Sequence, residues 1–180
     1  MNCTKIQRSL PKAILSALLC AAMLLTGCSF SVVASEPLSV EEIEDWFEDN
    51  QQEILTIVNY LTDKPADDIY IDGPNEEVFS DFDYVTINNP EVRVCVERLW
   101  EHGCRSVTKM TNRNAISFEI WSRFVGEAWG GIAFSLDGEN LPEEQYCTQL
   151  QPLSEDGWFY YVAEYNLWRV QQRESTNTSG

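Results

Sequence analysis

Hydrophobic and polar positions follow three rhythms along this chain, and each predicts a different kind of element. Residues 13–25, AILSALLCAAMLL, are one unbroken run of apolar and small side chains. As a helix the run reaches roughly 20 Å at about 1.5 Å per residue, short of a bilayer core of roughly 30 Å. From residue 39 the rhythm is helical. Apolar side chains return at Val40, Ile43, Phe47, Ile54, Ile57, Val58 and Leu61, the spacing of one helix face. Ser39-Val40-Glu41-Glu42 fits a capping box at its start, and the helix should end near Leu61, before Lys64-Pro65. Residues 62–77 are acidic and carry Pro65, Asp72-Gly73 and Pro74, which predicts a loop with a short strand at 69–71. Residues 78–87 are rich in β-formers and predict a strand. Asn89-Pro90 then opens a second helix, with proline at the first helical position. Val92, Cys95, Val96, Leu99 and Trp100 form its buried face, and Gly103 is placed to close it.

After Gly103 the period falls to two, the rhythm of half-buried strands. Residues 105–111, 115–124 and 130–136 read as successive strands, with Ile116, Phe118, Ile120 and Phe124 on one face of the second. Thr111-Asn112-Arg113-Asn114 makes a hairpin turn, because asparagine tolerates positive φ. Trp129-Gly130-Gly131 predicts a bulge or a close backbone approach. Residues 139–156 read as a long acidic loop, and Trp158–Tyr165 as the last strand. The order predicts an α+β fold: two helices packed on a mainly antiparallel sheet of about four strands. A helix lying across such a sheet resembles the cystatin-like and NTF2-like folds, a likeness of element order alone.

Composition sharpens the two ends. Hydrophobic residues make up 44% and charged residues 23%, a globular balance. Lys and Arg total 12 against 29 Asp and Glu, yet Lys5, Arg8 and Lys12 all precede the first acid, Glu36. Without residues 1–27 the chain holds 9 basic and 29 acidic residues, a net charge of −20. A body this acidic repels phosphate backbones, so nucleic acid is excluded as a partner. It also repels anionic lipid surfaces, so attachment to a membrane needs an anchor.

The apolar run closes on Leu25-Thr26-Gly27-Cys28: an aliphatic residue, two small ones, then cysteine. Residues 1–28 resemble the leader and lipobox of bacterial lipoprotein precursors. The resemblance implies diacylglycerol on the sulfur of Cys28, cleavage between Gly27 and Cys28, and acylation of the new N-terminus by a chain such as palmitate. It implies a lipid anchor on the extracytoplasmic face of a bacterial cell membrane. Two chains hold stably where one is marginal, at about 0.8 kcal/mol per buried CH₂. Ser29 stands where aspartate would signal inner-membrane retention in Gram-negative lipoproteins. Two competing readings are cleavage after Val32-Val33-Ala34 and retention of 13–34 as a membrane helix. The organisation expected is a leader over 1–27, an anchored spacer over 28–38, a single α+β domain over 39–170 and a disordered tail over 171–180.

Candidate chemistry is sparse. The one histidine, His102, reads as a helix-terminal residue, and Cys95 reads as a small buried hydrophobe. With Cys28 lipidated, three cysteines remain, and Cys104 with Cys147 is the candidate disulfide in an oxidising compartment. There is no CxxC, no EF-hand spacing, no Walker motif and no GxSxG, so no metal and no cofactor is expected. Acidic pairs such as Glu143-Glu144 are too many to single out a catalytic one. The aromatics Trp121, Trp129, Trp158 and Tyr160 are candidates to line a groove that stacks a sugar or grips a peptide. Three functions follow: an anchored domain that binds a ligand or a protein, an acidic inhibitor or immunity-type protein, and a carboxylate-based hydrolase.

Overall fold

Two helices start at their predicted caps, Ser39 and Asn89, and the second closes at Gly103. A computed structural model describes residues 37–73, 76–79, 84–123, 127–138 and 140–178. Ser39 opens α1 (Val40–Asp49) with both halves of the capping box in place. Its hydroxyl accepts from the Glu42 amide at 3.2 Å, and the Glu42 carboxylate accepts from the Ser39 amide at 2.8 Å. Asn89 caps α3 (Pro90–Glu101) with its side-chain oxygen, which accepts from Glu91 N at 3.0 Å and Val92 N at 3.3 Å. At the far end Cys104 N donates to Leu99 O at 2.8 Å and Gly103 N to Trp100 O at 3.1 Å. This paired closure needs a left-handed residue, and Gly103 supplies it at φ +94°.

The predicted long helix over 39–61 is two helices. α1 ends at Asp49 and α2 runs Gln51–Thr62, with Asn50 between them at φ −118° and ψ 11°. Asn50 is buried, and its side chain stays satisfied by leaving the helical path. The amide donates to Trp46 O at 2.7 Å, and the side-chain oxygen meets His102 Nδ1 at the end of α3. Trp46 Nε1 donates to His102 O at 2.8 Å. His102 thus does structural work where three helix ends meet.

The strands are β1 (Asp68–Gly73), β2 (Glu76–Phe79), β3 (Tyr84–Thr86), β4 (Ser106–Met110), β5 (Ala115–Arg123), β6 (Ala128–Ser135), β7 (Cys147–Pro152) and β8 (Trp158–Glu164). They form one sheet in the order β3-β2-β1-β4-β5-β6-β8-β7, antiparallel throughout. A last helix, α4 (Tyr165–Thr178), covers the stretch read from the sequence as tail.

The α+β class holds, but two helices on about four strands does not: the described residues hold four helices and eight strands. Each miss has a physical cause. Buried Asn50 splits one helix face that reads as continuous. The β-rich stretch 78–87 belongs to two strands of a hairpin, with Glu76 opposite Thr86 and Val78 opposite Tyr84. β7 lies at the sheet edge with mostly exposed or half-buried side chains, so Cys147-Thr148-Gln149-Leu150-Gln151-Pro152 shows no apolar alternation. The cystatin-like and NTF2-like likeness rested on an order of helix, loop or strand, helix and a four-stranded meander, and the observed order differs from it.

One face of the sheet carries the core. Ile69, Ile71, Val107, Ile116, Phe118, Ile132, Trp158 and Tyr160 are buried there with Ile43, Phe47, Ile54, Ile57, Leu61, Val92, Val96 and Leu99 of the helices. Each such side chain contributes about 1.5–3 kcal/mol when fully buried. The alternate residues face the other way, and no helix of the core covers them. That open face positions the candidate site.

Candidate functional site

The open face is built of small and polar residues. The register brings Ser106 beside Glu119 and Thr108 beside Ser117 on β4 and β5. It sets Ala133 beside Ser117, Gly131 beside Glu119, and Tyr161 of β8 beside Gly131. Small side chains on three adjacent strands leave a depression. A bulge between Glu119 and Trp121 lies opposite Gly130-Gly131. A Cβ on Gly131 would stand 2.0 Å from Phe118 O, so the strands approach this closely only with glycine there.

A loop folds over this depression. Asn114 ends the β4–β5 turn in the left-handed region at φ 54°, as its sequence context predicts. Its amide nitrogen donates to Ser135 Oγ at 3.1 Å, Asp137 Oδ1 at 2.9 Å and Asn140 O at 3.0 Å, and its side-chain oxygen accepts from Asp137 N at 3.0 Å. Ser135 Oγ donates to Asn140 O at 2.7 Å, and Glu143 N donates to Arg113 O at 2.8 Å. Pinned at both places, the loop sets Glu144 over the sheet, where its carboxylate accepts from the Ser117 hydroxyl. Tyr146 follows in the left-handed region at φ 57°, a costly conformation for a bulky residue. Its ring meets Trp129 at 6.1 Å, Tyr165 at 4.9 Å and Trp168 at 5.1 Å, all edge-on or nearly so.

Between loop and sheet lies a cavity of about 110 Å³. Glu119, Glu144, Tyr161, Ser117, Arg113 and Trp129 are among its walls. Burial raises the Glu144 carboxyl above its ordinary range, against the Ser117 hydrogen bond and the Arg113 charge. Burial raises Glu119 as well, against hydrogen bonds from Ser122 and Ser106 and the charge of Arg105. Neither carboxylate has a cation within ion-pair distance among the described residues. Tyr161 is 2% exposed. Burial, then the charges of Glu144 and Glu119, push its phenol well above the ordinary tyrosine range, so it stays a neutral donor. Tyr161 stands on the wall of this cavity.

No family model, curated protein or solved structure matches this chain. The site is therefore read from its own chemistry. It offers acceptors on two carboxylates, a donor on Tyr161, hydroxyls on Ser106, Thr108 and Ser117, and an aromatic wall at Trp129. Among the described residues no three His, Cys, Asp or Glu side chains are grouped to hold a metal ion.

Of the aromatics expected to bind a ligand, only Trp129 is at the cavity. Trp158 and Tyr160 alternate onto the helix face, opposite Phe134 and Ile132. Trp158 packs 4.8 Å from Phe47 and 5.0 Å from Phe134, and Tyr160 donates to Leu38 O at 3.0 Å. Trp121 is buried in the same core, and its Nε1 has no hydrogen-bond partner among the described residues. These three are core residues. The candidate disulfide is not formed: Cys104 and Cys147 are free thiols. β4 and β7 are separated by β5, β6 and β8, about 19 Å along a flat sheet against a Cα limit of about 7 Å. Burial pushes the Cys104 thiol up to about 12. Cys28 and its lipobox lie outside the described residues. The sequence reading missed Glu119, Glu144, Tyr161 and Ser117. The period-two alternation did hold the signal, because Ser117 and Glu119 are the polar phase of β5 and Tyr161 is the phase of β8 opposite Trp158.

Proposed function

We propose that the mature chain is a lipid-anchored extracytoplasmic domain that binds a small polar ligand in the open-face cavity. The observation that carries this reading is a cavity whose wall joins Tyr161 to two carboxylates, Glu119 and Glu144, both raised by burial and neither ion-paired among the described residues. Burial of a carboxylate without a counter-charge opposes folding, and here two of them share one cavity. Groups that oppose folding are kept where a ligand satisfies them. The anchor is supported by Leu25-Thr26-Gly27-Cys28 at the end of the apolar run and by a body too acidic to adhere to anionic lipid.

Two measurements test the two halves. The precursor made in a bacterial host should fractionate with membranes, and mass spectrometry should find Cys28 as an acylated N-terminus. A free N-terminus at Ser35 sinks the anchor. For the cavity, Tyr161→Phe should keep the circular dichroism and melting of the wild type while losing affinity for the ligand about tenfold. Unchanged affinity sinks the binding site. A carboxylate-based hydrolase is the second reading, favoured by Glu119 and Glu144 both being held toward the acid form in one cavity. A binding domain returns its ligand unchanged, and a hydrolase does not.

A further inference from the structure

We propose that the occupant of the open-face cavity is the ammonium end of a small organic amine. The proposal rests on the cavity being a ligand site, as argued above. Charge comes first. Two carboxylates and one arginine line the cavity. Asp68 and Asp72 lie on the same face of β1 by their register with Met110 and the strand alternation. The whole chain carries −17. An anion is repelled, and a neutral ligand adds nothing to the charges of Arg113 and Arg105, neither of which stands within ion-pair distance of the two carboxylates. An ammonium offers three donors on one compact atom, and the cavity wall carries acceptors on Glu119, Glu144 and the hydroxyl oxygen of Tyr161. Trp129 and Met110 give walls suited to the alkyl part and a ring face for the cation. Size agrees. A cavity of about 110 Å³ holds a few waters, which suits a short alkylammonium.

The binding is linked to protons. Glu144 faces Ser117 of β5, Arg113 of the turn, Tyr161 of β8 and Cys147 of β7. Glu119 faces Arg105, Ser106 of β4, Ser122 of β5, Asp72 of β1 and Tyr161 of β8. Burial raises both carboxyls, so each has a protonated fraction that an ammonium must displace. Affinity therefore falls as pH drops through the raised carboxyl values, and binding there releases protons.

The test uses three probes of one shape: n-butylammonium, n-butanol and butyrate. Each is titrated into the domain while the indole N–H resonances are followed, with glucose as a fourth probe. Butylammonium alone should shift the Trp129 resonance, with proton release seen by calorimetry in two buffers. Glu144→Gln should weaken it about tenfold, the loss of one charged hydrogen bond. Should Glu144→Gln fail to fold, Glu119→Gln reads the same loss. If butanol or glucose binds as well as butylammonium, or both Gln variants bind butylammonium like the wild type, the amine proposal is overturned and the ligand site stands. If none of the four probes moves Trp129, both fall.

Discussion

Asn114 shows how much one side chain decides. It takes a left-handed backbone that most residues resist, and its amide ties the β4–β5 turn to the loop that carries Glu144. Asn114→Ala meets a steric cost of about 1–2 kcal/mol for that backbone and loses the side-chain hydrogen bonds. The expected loss is about 3 kcal/mol in urea unfolding. Asn114→Gly keeps the backbone at ease and should lose about 1 kcal/mol, yet both variants should free Glu144 and weaken ligand binding alike. Equal stability for the two would show that the backbone angle is not what the asparagine supplies. Glu77 is a contrasting residue. It too is a buried carboxylate, but Lys64 Nζ stands 3.1 Å away and the Tyr60 hydroxyl donates to it. Satisfied from within, it joins α2 to β2 and leaves nothing for a ligand.

At the scale of elements the β5–β6 pair governs the site. Gly131→Ala would press a methyl onto Phe118 O, and the bulge that aims Glu119 would have to move. The expected destabilisation is about 3 kcal/mol. Gly73→Ala, with nothing within 4 Å of the added carbon, should change the melting midpoint little, and similar losses in the two would refute the close approach. Elements with strong local signals were legible in the sequence. The capping box, Asn89-Pro90, the turn at Asn114 and the alternation through β4, β5 and β6 all lie where the periodicity puts them. The misses are elements whose pattern is set by partners far along the chain. β7 is a strand because β8 is beside it, and α1 parts from α2 because His102 awaits Asn50. For the site, alternation separates Trp158 and Tyr160 from Phe159 and Tyr161 but does not say which set meets the helices. Only the register with Phe134 and Ile132 decides it.

For the whole molecule, charge and fold pull against each other. Glu119 and Glu144 have folded values raised by burial, so the stability they contribute is present below the ordinary carboxylate value and lost as pH rises through the raised ones. Glu42 is the reverse. Its backbone bond with Ser39 lowers it, so its contribution is present above the ordinary value and lost on acidification. Replacing Glu119 and Glu144 together by Gln should therefore raise the melting temperature near neutral pH, with the advantage shrinking to nothing below the ordinary carboxylate range. A constant difference across pH would mean that the two groups are not what burial strains. The strand order has a kinetic side too. β1–β2–β3, β4–β5–β6 and β7–β8 each pair with their immediate successors, and only β1–β4 and β6–β8 join one group to the next. Short loop closures come early and long ones are slow. The chain should thus collapse as three quick hairpin modules, with rate-limiting docking across the two seams. The β6–β8 seam is the one that carries Tyr161 to Gly131, so the cavity is completed only when the last module arrives.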